Sequence, residues 1–429
     1  DRYGDNELFY NAQGAQEIST DISLLDNPNL DIDPVSAAHS LVVYGYRAPK
    51  KHTLFKGVKK LGVDENFTTN ETEFLVKNKN HEQFVEQQYG EKDLNRYADA
   101  FLDCLKARGS DDGNIIYLSS GWDSTSILAG LHHVFGPKKI KCIIGRMHYS
   151  ERRGIINQFE IDRATKMANY YNVPLTIVDF DYTKPIEPLL QKWMPLLKDR
   201  QLYSIVVQNH ITLAEKAKEI SEGGEMVFAG EISDGAHNLG FSQYATYFHP
   251  NVAFREFYDK MANYLMGPSF LKLLHSNSHQ EDPMFKLFKE RMGEKSYDGL
   301  KEGDKSGINL QMLSSLFLRD VRFPLYSLSN NPVLSTNGRD LYQNEMEAAY
   351  LQKTSEELTP ENLYANYLHL YNSFHWQGAT VKGIGLTLQA EGLNYCLPFW
   401  DQTIQQILSE MPETWGRALD LNSTKYPLK

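Results

Sequence analysis

Residues 117–124 read Tyr117-Leu118-Ser119-Ser120-Gly121-Trp122-Asp123-Ser124, a set of types suited to holding a phosphate. Where a tight turn enters a helix, unpaired backbone N–H groups and the positive end of the helix dipole converge, and both favour an anion. The hydroxyls of Ser119, Ser120 and Ser124 add donors, and Gly121 lets the backbone approach the anion closely. Asp123 would repel such a ligand unless a cation lies between them. Magnesium, a hard ion that seeks oxygen, suits that position. The loop lacks the Gly-Lys-Ser/Thr ending of a Walker P-loop. A Ser/Gly turn that only caps a core helix would use the same residue types, with Asp123 in its first turn for dipole reasons.

A second set follows the run Met226-Val227-Phe228-Ala229 and reads Gly230-Glu231-Ile232-Ser233-Asp234-Gly235. Two carboxylates on a glycine-bearing turn just beyond a buried strand are costly to leave unpaired. If the strands before the two turns are neighbours, Asp123 and Asp234 would share one magnesium ion. Glu231 would then lie close enough to act as an acid or base. The alternative is a turn whose Asp and Ser cap the next segment.

Each turn needs a strand before it, and the serine loop needs a helix after it. Ile115, Ile116, Tyr117 and Leu118 supply the apolar run, and Ile127, Leu128, Leu131 and Phe135 recur on one helical face. From 114 to 234 the pattern alternates as in doubly wound α/β domains. It predicts strands over 114–118, 140–145, 174–180 and 225–229, and helices over 124–136, 160–171 and 206–220. Repeated units of this kind place ligands at the carboxyl ends of the strands, where the serine loop falls. A further helix is predicted over 91–107. Residues 1–80 mix short β-like runs, Glu7 to Tyr10 and Leu41 to Tyr46, with turn-forming Asn, Asp and Pro. Residues 236–375 read as largely helical. Within them Tyr364, Tyr367, Leu370, Tyr371 and Phe374 repeat at helix spacing, which predicts core packing. His132, His133, His237 and His249 lack metal-ligand spacing and read as core or surface residues.

The 429 residues are enough for two or three domains with large cores. A net charge of −11 argues against a surface that attracts nucleic acid as a whole. Basic runs at Lys50-Lys51 and Lys56 to Lys60 read as solvated faces. No apolar stretch approaches the ~20 residues that span a membrane, and no signal peptide is visible. Cys104, Cys142 and Cys396 have no CxxC spacing, so neither a disulfide framework nor a zinc site is indicated and a cytoplasmic location is expected. The first residue is Asp, so the chain is expected to have been cut from something longer.

The serine loop resembles the pyrophosphate loop Ser-Gly-Gly-x-Asp-Ser of the N-type ATP pyrophosphatases, and the order of motifs resembles the asparagine synthetase family over nearly the whole chain. Gly230-Glu231-Ile232-Ser233-Asp234 is similar to that family's Gly-Glu-Gly-Ser-Asp. Gly392-Leu393-Asn394-Tyr395-Cys396-Leu397-Pro398-Phe399-Trp400-Asp401 is similar to Gly-Ile-Glu-Val-Arg-x-Pro-Phe-Leu-Asp, and Lys425-Tyr426-Pro427-Leu428-Lys429 to Lys-x-x-Leu-Arg. Asp1-Arg2-Tyr3-Gly4 with Leu8-Phe9-Tyr10, Thr20 to Leu25, Gly45-Tyr46 and Thr53 to Val58 resemble segments of the family's glutaminase domain, in the same order. There are departures. Ser120 and Ile232 stand where the family has Gly, and Asn394 and Cys396 where it has Glu and Arg. The family's glutaminase nucleophile, an N-terminal Cys, has no counterpart in the chain as given.

The resemblance implies an α/β fold: a doubly wound parallel sheet of the ATP pyrophosphatase type over 111–429, with helical additions. A helical connection over 81–110 and a partial β-rich, glutaminase-like (Ntn-type) segment over 1–80 would precede it. The activity implied is ATP-dependent, AMP-forming amide synthesis with Mg2+, in which a small-molecule or peptide carboxylate is adenylated and passed to ammonia or an amine. Asp123 and Asp234 would hold the metal. Ser119, Ser120, Gly121, Asp123 and Ser124 would cradle pyrophosphate, while Leu118, Ile144 and Gly230 would border adenosine. Glu231 would take a proton from the incoming nitrogen, and Lys425 would stabilise charge on the adenylate. Two alternatives stay open: an intramolecular cyclase of the β-lactam synthetase or lasso-peptide cyclase type, and a nucleotide-binding homologue without activity. Asn394 and Cys396 favour the cyclase over asparagine synthesis. As given, the chain would need supplied ammonia or an amine, any glutaminase portion being incomplete.

Overall fold

Ile115 and Ile116 are both fully buried, although neighbouring strand residues face opposite sides of a sheet. Their strand must therefore be covered on both faces, the usual condition of a parallel sheet between helices. The computed structural model describes residues 7–11, 17–25, 31–40, 50–69, 74–78, 89–199, 207–238, 264–283, 285–286, 303–318, 333–374 and 379–412. Among these, one compact unit is drawn from 91–233 and 376–405, and the other from 1–90, 234–375 and 406–428.

The first unit contains the strands β1 (Asn114–Tyr117), β2 (Ile140–Ser150), β3 (Leu175–Asp181), β4 (Met226–Ala229) and β5 (Asn394–Cys396). All neighbours among the five pair in parallel, in the order β3-β2-β1-β4-β5. The order reverses at β1, which pairs with β2 on one side (Tyr117↔Ile143) and β4 on the other (Tyr117↔Ala229). In such sheets the crevice beyond the carboxyl ends of the strands at the reversal is the natural ligand site. Strand β2 runs past the predicted end at 145, because its far half pairs with β3 as far as His148↔Asp181 and with the short antiparallel strand Gly154–Ile155. Strand β5 was not anticipated from the sequence: three residues are too few to establish a period.

Among the described residues, this unit also contains the helices α1 (Glu91–Arg108), α2 (Trp122–Phe135), α3 (Gln158–Tyr170), α4 (Glu187–Asp199), α5 (Val207–Ile220) and α6 (Ala379–Ala390). Helix α2 buries Ile127, Leu128 and Leu131 completely, each worth about 1.5–3 kcal/mol of transfer free energy. It packs on α1 so closely that a Cβ at Gly130 would come within 2.4 Å of Leu105 Cδ1. Helix α5 buries Val207, Ile211, Ala214 and Ala217 and packs along α6. The α/β parallel-sheet fold expected from the alternating pattern is the one observed.

In the second unit, antiparallel strands Ile18–Ser19, Phe9–Asn11 and Val58–Lys60 form a small sheet over Phe9, Ile22, Leu25 and Val58. Glu65–Thr69 and Phe74–Asn78 form a hairpin. The run Leu41 to Tyr46 lies outside the described residues. Lys50 and Lys51 are not the solvated face that their charge suggested. Lys50 is fully buried, and Lys51 pairs with the Glu65 carboxylate at 2.7 Å and donates to the Ala349 carbonyl at 3.2 Å. Lys60 is likewise buried against Glu7. Beside them, burial and the positive charges of Lys59, Lys51 and Lys60 push the His52 imidazole down to about 3, so it stays neutral in its 2.6 Å hydrogen bond with the Tyr350 hydroxyl. Among the residues predicted as core, Tyr364, Tyr367, Leu370 and Tyr371 lie buried on the helix Leu363–Phe374.

The chain enters β4 through a buried carboxylate at the sheet's amino edge. Glu225 accepts from the Glu222 N–H at 2.7 Å, the Gly223 N–H at 2.8 Å and the Ser221 hydroxyl at 2.6 Å, and lies 3.3 Å from Lys141 Nζ. Burial alone would raise its pKa, but the hydrogen bonds outweigh that and hold it at about 2. A carboxyl lower in the folded than the unfolded state adds stability above its unfolded pKa and loses it as pH falls through the folded value. Urea midpoints measured between pH 6 and pH 2 should therefore fall more steeply for the wild type than for Glu225→Gln below about pH 4.5. Parallel curves for the two proteins would contradict this assignment.

Candidate active site

The β1 ladder continues one residue past the strand, where the Leu118 N–H donates to the Ile143 carbonyl at 2.8 Å. Leu118 is buried, and so is Ile144 on the neighbouring strand. The chain then turns through Ser119, Ser120 and Gly121 into α2, which begins two residues earlier than the sequence predicted. Trp122 and Asp123 consequently stand in its first turn. Gly121 is the N-cap and has no side chain with which to accept from the first-turn amides, so the helix lacks a side-chain cap. That is the arrangement an anion site needs, and it weighs against a turn built only to cap its helix.

Ser124 closes the loop. Its Oγ accepts from the Ser119 N–H at 2.9 Å, lies 2.9 Å from Ser119 Oγ, and donates to the Ser119 carbonyl at 3.2 Å. The Gly121 N–H reaches Ser119 Oγ at 3.2 Å, and Thr125 Oγ1 donates to the Gly121 carbonyl at 2.8 Å. Ser124 is buried and Ser119 exposed, so the buried serine shapes the loop while the exposed one faces solvent. Trp122 is 77% exposed beside them.

The turn after β4 docks on this loop. Gly230 lies so close to α2 that a Cβ there would meet Ser124 N at 3.0 Å and Asp123 Cβ at 3.1 Å. Ser233 Oγ donates to Asp123 Oδ1 at 2.6 Å. Between them, Ile232 adopts φ +80° and is buried. A β-branched residue in that region is strained by roughly 1–3 kcal/mol. The resemblance puts Gly at this position, and glycine adopts such a φ without penalty. Glu231, on the same turn, is half-buried. Tyr97 of α1 lies near enough to register the Asp123 charge: burial first, and then that carboxylate, push its phenol well above the ordinary range.

The structure thus brings together Leu118, Ser119, Ser120, Gly121, Asp123, Ser124, Gly230 and Glu231 at the switch point, with Ile144 on the adjacent strand. Asp234 follows Ser233 in the short helix Ser233–Asn238, but its side chain lies outside the described residues, as does Lys425. Ser233 was not singled out from sequence, because a serine on a turn signals capping as readily as contact with a second loop. No cluster of three or more His, Cys, Asp or Glu forms a metal site among the described residues. A single carboxylate such as Asp123 fits magnesium that arrives with phosphates and keeps waters, the common mode for that ion, better than an all-protein cage. Cys104 and Cys142 are buried, and burial pushes the Cys142 thiol up to about 12. No helix among the described residues is long and apolar enough to cross a membrane.

No protein-family model and no curated protein matches the chain. Among solved structures it is similar to an NH3-dependent NAD synthetase from Campylobacter jejuni subsp. jejuni NCTC 11168 in complex with the nitrate ion. There the identity is 16%, over 47% of this chain and 93% of that one, with a TM-score of 0.25. It is also similar to the U34-tRNA thiolase NcsA from Methanococcus maripaludis with its 4Fe-4S cluster, at 15% identity over 66% and 82% of the two chains and a TM-score of 0.25. A glutamine-dependent NAD+ synthetase from Acinetobacter baumannii in complex with ADP gives 12% identity over 79% and 65%, with a TM-score of 0.26. Overlap at that level leaves the sheet order and the loop geometry as the ground for a functional reading.

The docking of the two turns is open to a direct check. Gly230→Ala should push the β4 turn off α2, lowering the unfolding free energy by about 1–3 kcal/mol and speeding amide exchange across 119–124. An unchanged urea midpoint with unchanged exchange would mean that the turns do not meet.

Proposed function

We propose that the chain is an ATP-dependent, AMP-forming synthetase that activates a carboxylate and transfers the acyl group to ammonia or an amine. The observation that carries the reading is the meeting of the serine loop and the Glu231-bearing turn at the reversal point of the sheet, tied by the bond from Ser233 to Asp123. Each part of the reaction then has a residue type to serve it.

In the first step a carboxylate oxygen of the substrate attacks the α-phosphorus of ATP. The bond from that phosphorus to the bridging oxygen breaks, and pyrophosphate leaves. The backbone amides and hydroxyls of Ser119, Ser120, Gly121 and Ser124 would hold the leaving pyrophosphate. Leu118, Ile144 and Gly230 would border the adenosine. Asp123, with Asp234, would hold Mg2+, which supplies charge neutralisation on the phosphates when bound. In the second step the nitrogen attacks the acyl carbon, the bond to AMP breaks, and Glu231 would accept the proton lost from nitrogen. By resemblance, Lys425 would oppose negative charge on the adenylate. On the same reading the antiparallel strands within 7–78 are a glutaminase-like layer.

A second reading, ring closure within one substrate, is favoured by one feature. Asn394 and Cys396 on β5 replace the charged pair of the asparagine synthetase motif, so a small charged acid such as aspartate has lost its expected partners there. Carboxylate panels that include substrates bearing their own amine separate the two readings.

The division of labour predicts distinct failures. Asp123→Asn should cut AMP formation by ~10²-fold or more without unfolding the protein, since it removes charge at the site and no core volume. Glu231→Gln should retain carboxylate-dependent ATP–pyrophosphate exchange and slow amide formation. Equal loss of exchange in both variants would show that the roles are not divided in this way.

A further inference from the structure

A carboxylate in the first turn of a helix has an easy alternative to ligand work: it can fold back toward its own helix's amides. Something must hold Asp123 out of that conformation if it is to serve a phosphate-borne cation. The structure offers a candidate on the neighbouring strand's turn. Ser233 is 1% exposed, and its hydroxyl donates to Asp123 Oδ1 at 2.6 Å, within the short range expected of a charge-assisted O–H···O bond. Because Ser233 is buried, water does not compete for the donor.

Three independent features fix where that hydroxyl lies. The β1–β4 register, ending at Tyr117↔Ala229, sets how far the β4 turn extends beside the loop. Gly230 then rests against Asp123 and Ser124, where a Cβ would crowd Ser124 N at 3.0 Å and Asp123 Cβ at 3.1 Å. Finally, Ile232 takes φ +80° with its side chain buried, a conformation that persists only when its surroundings over-determine it. Strain of this kind at a site is a reason to look for what it positions, and the next residue in the chain is Ser233.

We propose that Ser233 is a positioning residue for Asp123, and that its hydrogen bond sets the carboxylate for the cation that accompanies ATP. This rests on the ATP reading given above and adds to it a residue acting through Asp123. It also makes the two turns one device. Movement of the Glu231 turn withdraws the Ser233 hydroxyl, so the carboxylate that serves adenylation and the carboxylate that serves nitrogen capture share one geometric constraint.

The test is calorimetric titration of the full chain with ATP, once with excess Mg2+ and once with EDTA, for the wild type, Ser233→Ala and Ser233→Thr. Ser233→Ala removes one buried hydroxyl and little volume. It should weaken ATP binding in Mg2+ by about tenfold, as expected for loss of a hydrogen bond to a charged group, and leave binding in EDTA within about twofold. Ser233→Thr keeps the hydroxyl and should restore most of the Mg2+-dependent affinity. The concentration of Mg2+ giving half-maximal ATP–pyrophosphate exchange should rise in Ser233→Ala in the same proportion. Equal loss with and without Mg2+, or no loss in either, would overturn the positioning role while leaving ATP binding established. Wild-type protein that binds no ATP under either condition would overturn both the role and the reading it rests on.

Discussion

The site depends first on the parallel pairing of β4 with β1. Four residue pairs, Asn114↔Met226 to Tyr117↔Ala229, decide that two turns far apart in sequence emerge side by side. A slip of one residue would turn every buried side chain of β4 toward the wrong face, and a slip of two would displace its turn by about 6.6 Å. Neither is tolerable, because Val227, Phe228 and Ala229 are all buried. The register that satisfies the core is therefore also the one that sets Gly230 against α2. Packing energy, which is large and non-directional, here does the work of placing groups to within ångströms.

Electrostatics at the site are local. The chain carries a net charge of −11, so its long-range field does not recruit a polyanion. What can hold one is the geometry of an uncapped helix start, whose partial charge acts within the first turn. The exposed ion pair between Arg146 and Asp179, bidentate at 2.5 and 2.8 Å on β2 and β3, contributes little by comparison, since exposed pairs are worth about 0–1 kcal/mol. Tyr97 shows the other side of the balance. Its phenol is buried near Asp123 and is held neutral by that burial and that charge, so it adds no negative charge beside the proposed phosphate site.

The parts of the fold that could be read from the sequence are those with a period long enough to count. The strands at 114, 140, 175 and 226 and the helices at 122, 158 and 207 all stand where apolar spacing put them, with ends moved by a few residues. Strand β5, three residues long, had no period to show. Lys51 misled because charge was read without its partners: Glu65 and the Ala349 carbonyl come from other parts of the chain, and no local pattern announces them. The serine loop was legible because its chemistry is contiguous. Ser233 was not, because its meaning lies in a bond to a residue 110 positions away.

Ile232 shows what such a site selects for. Glycine would adopt φ +80° freely, yet the chain carries a β-branched residue there and buries it. Apolar burial of an isoleucine is worth about 1.5–3 kcal/mol, the same order as the backbone strain, so the two roughly offset and the turn keeps its shape. The same logic separates the departures from the asparagine synthetase pattern into two kinds. Where the resembled pattern has Gly, this chain has Ile232 at φ +80°, a conformation glycine adopts freely. Where that pattern has Glu and Arg, Asn394 and Cys396 lack the charges, which no backbone adjustment supplies. On the proposed reading the first kind leaves nucleotide chemistry intact, while the second changes which carboxylate the site can accept.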